Sequence, residues 1–101
     1  MPINELRKRQ LFSLEAFPPK KEQSAKSIYE AVSKMARLHP DYMSVTYGAA
    51  GTTSGFTTEI ANAIKEGGVE PLSHLTCLTS TKEKIDSVLD ELEANGIENV
   101  L

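Results

Sequence analysis

Three short stretches of alternating apolar and polar residues, each followed by a helical pattern, recur at an almost constant interval. Glu15, Thr46 and Thr76, one in each stretch, lie 31 and 30 residues apart. A strand, its crossover helix and the return to a parallel neighbour consume roughly 30 residues. The spacing therefore predicts successive strand-helix units and a parallel α/β architecture. The first stretch, Phe12 to Phe17, is stopped by Pro18 and Pro19, which have no N–H to give to a ladder. The second, Tyr42 to Tyr47, follows His39-Pro40-Asp41 and ends at Gly48. Pro71 opens the third, expected over Leu72 to Leu78, and Ile97 to Leu101 reads as the start of a fourth.

The intervening segments carry helical periodicity. Ala25, Ile28, Val32, Met35 and Ala36 form an apolar stripe within a helix expected from about Glu22 to Leu38, with His39 at its carboxyl end facing the negative pole of the dipole. Phe56, Ile60, Ala63 and Ile64 form a second stripe, within Phe56 to Glu66, closed by Gly67-Gly68. A third carries Ile85, Val88, Leu89 and Leu92, opened by the capping-box pattern Ser80-x-x-Glu83 and ended by Asn95-Gly96. Pro2, Ile3 and Leu6 predict a short N-terminal helix able to cover one end of the fold. The glycine-rich loop from Gly48 to Gly55 has neither the Lys-Ser/Thr ending of a P-loop nor dinucleotide-fingerprint spacing, and reads as a strand-to-helix turn.

At 101 residues, 40% hydrophobic and 25% charged, the chain is the size of one modest domain. A net charge of −3 gives no electrostatic reason to bind nucleic acid or an anionic membrane. The single cysteine, Cys77, has no internal disulfide partner, and no apolar run is long enough for a signal peptide or a membrane span. These features place the chain in the cytoplasm. With two histidines and no metal-ligand spacing, no metal site is expected.

Buried parallel strands usually read as continuous apolar runs. These do not. One face carries Phe12/Leu14/Ala16, Met43/Val45 and Leu75/Cys77, the other Ser13/Glu15, Ser44/Thr46 and His74/Thr76. Polar groups thus collect towards the carboxyl ends of the strands, where open α/β sheets and barrels place their active sites. Glu15 stands out, because burial in a barrel interior would demand a partner or a raised pKa. The others have plainer readings: Thr46 and Thr76 as β-branched strand formers, His74 as a hydrogen-bonded neutral histidine, Ser13 and Ser44 as small residues that leave room, and Cys77 as a small buried hydrophobe.

Leu14-Glu15-Ala16-Phe17-Pro18-Pro19-Lys20, Ser44-Val45-Thr46-Tyr47-Gly48-Ala49 and His74-Leu75-Thr76-Cys77 together resemble the first three strand motifs of the methylenetetrahydrofolate reductase family, in order and at fitting spacings. The resemblance implies a (β/α)8 TIM barrel of which residues 1–101 would be the N-terminal part: a helix, three strand-helix units and the start of strand four. It implies an FAD enzyme that takes hydride from NADH or NADPH and reduces 5,10-methylenetetrahydrofolate to 5-methyltetrahydrofolate. Glu15 falls at the position of the family's general acid, Thr46 at one lining the nicotinamide and flavin site, and Tyr47, Ala49 and His74 at flavin contacts. Two departures stand out. Ala16 replaces a frequent aromatic residue, and the family's Arg-Gly-Asp segment after strand four is not in this sequence, while a full barrel takes about 250 residues. The expected partners are the folate substrate and either further copies of the chain or the remainder of the barrel. Two other readings stay open: a non-catalytic, self-associating α/β module, and a lyase or isomerase using Glu15 and His74 as an acid/base pair.

Overall fold

The computed structural model describes residues 1–6, 10–18, 25–47, 54–78 and 80–101. Within them, a single 3-10 turn, Ile3–Leu6, precedes β1 (Ser13–Ala16), α1 (Ala25–Ala36), β2 (Tyr42–Val45), α2 (Ser54–Glu66), β3 (Glu70–Ser73), α3 (Lys82–Ala94) and β4 (Asn99–Val100). The strands form one sheet in the order β1-β2-β3-β4, every pair parallel. Sequential parallel order with a helix after each of the first three strands is the pattern of the N-terminal part of a (β/α)8 barrel.

The register sorts the side chains. Glu15 pairs with Ser44, Ser44 with Leu72 and Leu72 with Asn99, so these four share one face. On the other face Leu14, Met43 and Pro71 form one row, and Ala16, Val45 and Ser73 the next. That second face meets the helices. Met43, Val45, Ile60, Ala61 and Ile64 are essentially inaccessible, and Ala16, Val32, Ala36, Val69, Val88, Leu92 and Ile97 are buried with them. Among the described side chains the helical stripes therefore pack as their periodicity predicts, except that Leu89 in α3 is 40% exposed. Tyr29, on the outer side where α1 meets α2, donates to Glu59 Oε2 at 2.7 Å. Burial, reinforced by that carboxylate, pushes its pKa up to about 12.

Several element boundaries differ from expectation. The third strand runs Glu70–Ser73 rather than Leu72 to Leu78, because Pro71 is its second residue and not its opener. Pro71 is tolerated since its backbone faces the start of β4, where its carbonyl accepts from the Asn99 side chain at 3.4 Å and no ladder donor is needed. Beyond His74 and Leu75 the chain turns: Ser80 N–H donates to Cys77 O at 3.1 Å and Ser80 Oγ to Thr76 O at 3.2 Å. Thr76 and Cys77 consequently lie outside the strand and are exposed, so Cys77 is not a core residue. With Ser80 committed to that turn, the α3 cap is Thr81, whose Oγ1 accepts from Lys84 N–H at 3.1 Å. The second helix begins at Ser54, ahead of Phe56. The start of the first helix before Ala25 lies outside the described residues.

The N-terminal turn covers the amino end of the sheet. Asn99 Oδ1 accepts from Ile3 N–H at 2.9 Å, and Asn99 Nδ2 donates to Met1 O at 3.0 Å and to Glu70 Oε1 at 3.1 Å. The Met1 ammonium lies 2.8 Å from both Glu70 Oε1 and Glu98 Oε2, and these bonds hold its pKa above that of an ordinary amino terminus.

Two helix exits depend on left-handed glycines, Gly68 (φ +85°) and Gly96 (φ +70°). A Cβ on Gly68 would meet open space, whereas one on Gly96 would collide with Lys65 Nζ, which caps the Asn95 and Gly96 carbonyls at 3.2 and 2.9 Å. Gly68→Ala therefore isolates the backbone cost, about 1–2 kcal/mol, and Gly96→Ala should cost more because it also displaces the lysine cap. Urea unfolding of the two variants measures the difference; equal losses would show that the Lys65 cap contributes nothing.

Candidate active site

The site lies at the carboxyl end of the face that the helices leave uncovered. Glu15 on β1 and Ser44 on β2 are register partners, and Ser44 Oγ donates to Glu15 Oε1 at 2.9 Å. His74, just past β3, continues the ladder through its N–H to Val45 O at 3.0 Å. Being two residues beyond Leu72, it points to the same face, and its Nε2 comes within 3.8 Å of Glu15 Oε1. A carboxyl, a hydroxyl and an imidazole from three adjacent strands thus converge on one oxygen. The apolar packing behind them fixes the row, since Met43 and Val45, which flank Ser44, are fully buried.

Thr46 extends the second strand by one ladder bond, N–H to Ala16 O at 3.1 Å, and its own carbonyl accepts from Thr57 Oγ1 at 3.1 Å. Thr57, 2% exposed in the first turns of α2, pins that helix to the end of β2. Alternation puts Thr46 on the face of Ser44 and His74, and Tyr47 follows it, half-buried. Ala49 and most of the glycine-rich loop lie outside the described residues. Glu15 is not buried in this chain: its side chain is 45% exposed, so the partners it has are chosen by register and not forced by enclosure. Beside it, the carboxyl end of β1 and helix α1 border a cleft of about 190 Å³ lined by Phe17, Ile28, Val32 and Met35 among others.

Two contributors escaped the sequence reading. Ser44, in sequence a small residue that leaves room, is the direct hydrogen-bond partner of Glu15, and nothing in the sequence marks Thr57 as the partner of the Thr46 carbonyl. The signal for Ser44 was its position two residues before Thr46 on the polar face, legible only once the β1–β2 register is fixed.

A carboxyl, a hydroxyl and an imidazole on one face, at the carboxyl ends of consecutive parallel strands, occupy the end of the sheet at which (β/α) barrels place their active sites. The sequence profile of the family described as methylenetetrahydrofolate reductase matches residues 3–101. The chain belongs to the methylenetetrahydrofolate reductase family. A maize protein named methylenetetrahydrofolate reductase (NADH) 1 is 42% identical over 94 residues, 92% of this chain and 16% of the maize protein. A Salmonella typhimurium 5,10-methylenetetrahydrofolate reductase is 30% identical over 90 residues, 88% of this chain and 30% of its own length. Methylenetetrahydrofolate reductase 1 of Schizosaccharomyces pombe is 35% identical over 92 residues, 89% of this chain and 15% of that protein. The chain spans less than a third of the length of each of these three relatives.

The geometry makes a spectroscopic prediction. The imidazole resonances of His74 should move on Glu15→Gln, because the substitution replaces the carboxyl group 3.8 Å from its Nε2 with an amide. Those of His39, exposed beyond the carboxyl end of α1, should stay in place. Proton–nitrogen correlation spectra of the two rings provide the check, and equal movement of both would mean that the pairing is absent in solution.

Proposed function

We propose that this chain is the N-terminal part of the catalytic barrel of a flavin-dependent methylenetetrahydrofolate reductase, which passes a hydride from NADH or NADPH to 5,10-methylenetetrahydrofolate and releases 5-methyltetrahydrofolate. Residues 1–101 form an incomplete barrel domain in this reading. The observation that carries it is the convergence of Glu15, Ser44 and His74 on the open face at the carboxyl ends of three consecutive strands.

Glu15 is the general acid. Its proton goes to the folate nitrogen, the ring C–N bond breaks with its electron pair passing to that nitrogen, and an iminium remains to accept hydride. Thr46, Tyr47, Ala49 and His74 are the flavin contacts. FAD suits the donor set on this face, since the His74 imidazole and the Thr46 hydroxyl lie on the side of the sheet that the helices leave uncovered and can serve the hydrogen-bonding edge of a planar heterocycle. When bound, the flavin supplies the relay that accepts hydride from the nicotinamide and returns it to the folate. The maize relative's name favours NADH as donor. Among the described residues no helix is long and apolar enough to cross a membrane, and a cytoplasmic location fits the reaction.

The lyase or isomerase alternative also uses Glu15 and His74, and their 3.8 Å approach gives it an observation of its own. The two readings separate on one variant. In the full-length enzyme Glu15→Gln should slow folate reduction by about 10²–10⁴-fold while flavin reduction by the nicotinamide proceeds, because only the folate half-reaction needs a proton donor. Stopped-flow absorbance follows the two half-reactions separately; equal loss in both would remove Glu15 from the acid role.

The partners are the folate substrate and further strands. Phe12 and Phe17 at the β1 edge are 48% and 62% exposed, and Val100 and Leu101 at the β4 edge 42% and 72%. Exposed edges of this kind recruit other strands, from a further copy or from the rest of the barrel. Prepared as an isolated 101-residue polypeptide, the chain should therefore self-associate and fail to hold FAD. A monodisperse yellow monomer by light scattering and absorbance would contradict this.

A further inference from the structure

We infer that Ser44 is a positioning residue for the proton donor, holding Glu15 Oε1 as a hydrogen-bond acceptor so that the transferable proton resides on Oε2. The inference rests on the reading of Glu15 as general acid. Ser44 is 8% exposed and stands between two fully buried residues in a strand paired on both sides, so its hydroxyl is a fixed point. It donates to Oε1 at 2.9 Å, whereas His74 Nε2, at 3.8 Å, is beyond hydrogen-bond reach of that same oxygen. An oxygen that accepts from Ser44 serves as the carbonyl oxygen of the protonated acid, which assigns the acidic hydrogen to Oε2.

The consequence is catalytic as well as geometric. As the proton leaves Oε2 for the folate nitrogen, Glu15 becomes a carboxylate and the Ser44 bond becomes charge-assisted, roughly twice as strong as a neutral one. An interaction that strengthens along the reaction lowers the barrier, whereas one of constant strength does not. His74 faces the same developing charge without bonding to it directly.

The test uses the full-length reductase that carries this segment, comparing wild type, Ser44→Ala, Ser44→Thr and Glu15→Gln. Ser44→Ala should slow reoxidation of the reduced flavin by methylenetetrahydrofolate by about 10-fold, with flavin reduction by NADH unchanged. Ser44→Thr, which keeps the hydroxyl, should recover most of the rate. In infrared spectra, subtraction of the Glu15→Gln spectrum isolates the Glu15 carboxyl stretch, and in Ser44→Ala this band should move to higher frequency as the hydrogen bond to its carbonyl oxygen is lost. If the alanine variant does not accumulate folded, Ser44→Cys, similar in size with a weaker donor, should show the same slowing and band shift to a lesser degree. Wild-type behaviour of Ser44→Ala or Ser44→Cys, or equal slowing of both half-reactions, overturns the proposal. If Glu15→Gln is inactive with folate while Ser44→Ala is not slowed, only the role of Ser44 falls; if Glu15→Gln still reduces folate, the general-acid reading falls with it.

Discussion

The in-register parallel ladder from β1 through β3 is the constraint on which everything else in this chain depends. Once Glu15 is opposite Ser44 and Ser44 opposite Leu72, the pleat leaves no freedom in which face a side chain takes. A slip of β1 by one residue would turn Glu15 into the helix layer and Ala16 out of it. That error would bury a carboxylate without a partner and strip apolar contacts from α1. The same packing that stabilises the helix-facing side therefore enforces the arrangement of the polar side. Core and site are two readings of one register.

This coupling explains what was legible from the sequence. Helix faces repeat every three to four residues, so Val32, Ala36, Ile60, Ile64, Val88 and Leu92 identify themselves without knowledge of their partners. Strand order followed from the spacing of the units. The end of β3 was not legible, because His74 to Leu78 alternates as a strand would, and what stops it is a side-chain-to-backbone turn made by Ser80 with Thr76. That turn also moves the α3 cap by one residue: two hydroxyls stand side by side, and the choice between them is settled by what the first is already bonded to. Leu89 and Cys77 are exposed against the periodic pattern because burial depends on what packs outside α3 and around the β3–α3 connection, which no local period encodes.

The site was half legible. Glu15 is conspicuous as a charge in an apolar run, and His74 lies on the same face by simple alternation. The Ser44–Glu15 bond is a relation between residues 29 apart in sequence. It exists only because β1 and β2 pair at that offset and not at its neighbours. A serine carries no sequence signal that separates a space-filling role from a hydrogen-bonding one, so pairwise geometry is the first level at which its role becomes visible. The exposure of Glu15 belongs to the same level. From the sequence, burial is what would demand a partner for Glu15, yet the partner is present with nearly half of that side chain open to solvent.

The two ends of the sheet divide the labour of the chain. At the amino ends of β3 and β4, Glu70 and Asn99 bind the N-terminal segment through a network in which Asn99 bonds to Met1, Ile3, Glu70 and Pro71. Each of these polar groups is used up in fixing the backbone. At the carboxyl ends the groups are directed differently. Glu15, Ser44 and His74 meet one another but leave the carboxyl accessible, and the Thr57 bond to the Thr46 carbonyl ties this end back into the helix layer. In parallel-barrel proteins stability accumulates at the first end and chemistry at the second. A closed network of satisfied polar groups at one end and an open, partnered carboxyl at the other is the physical content of that rule.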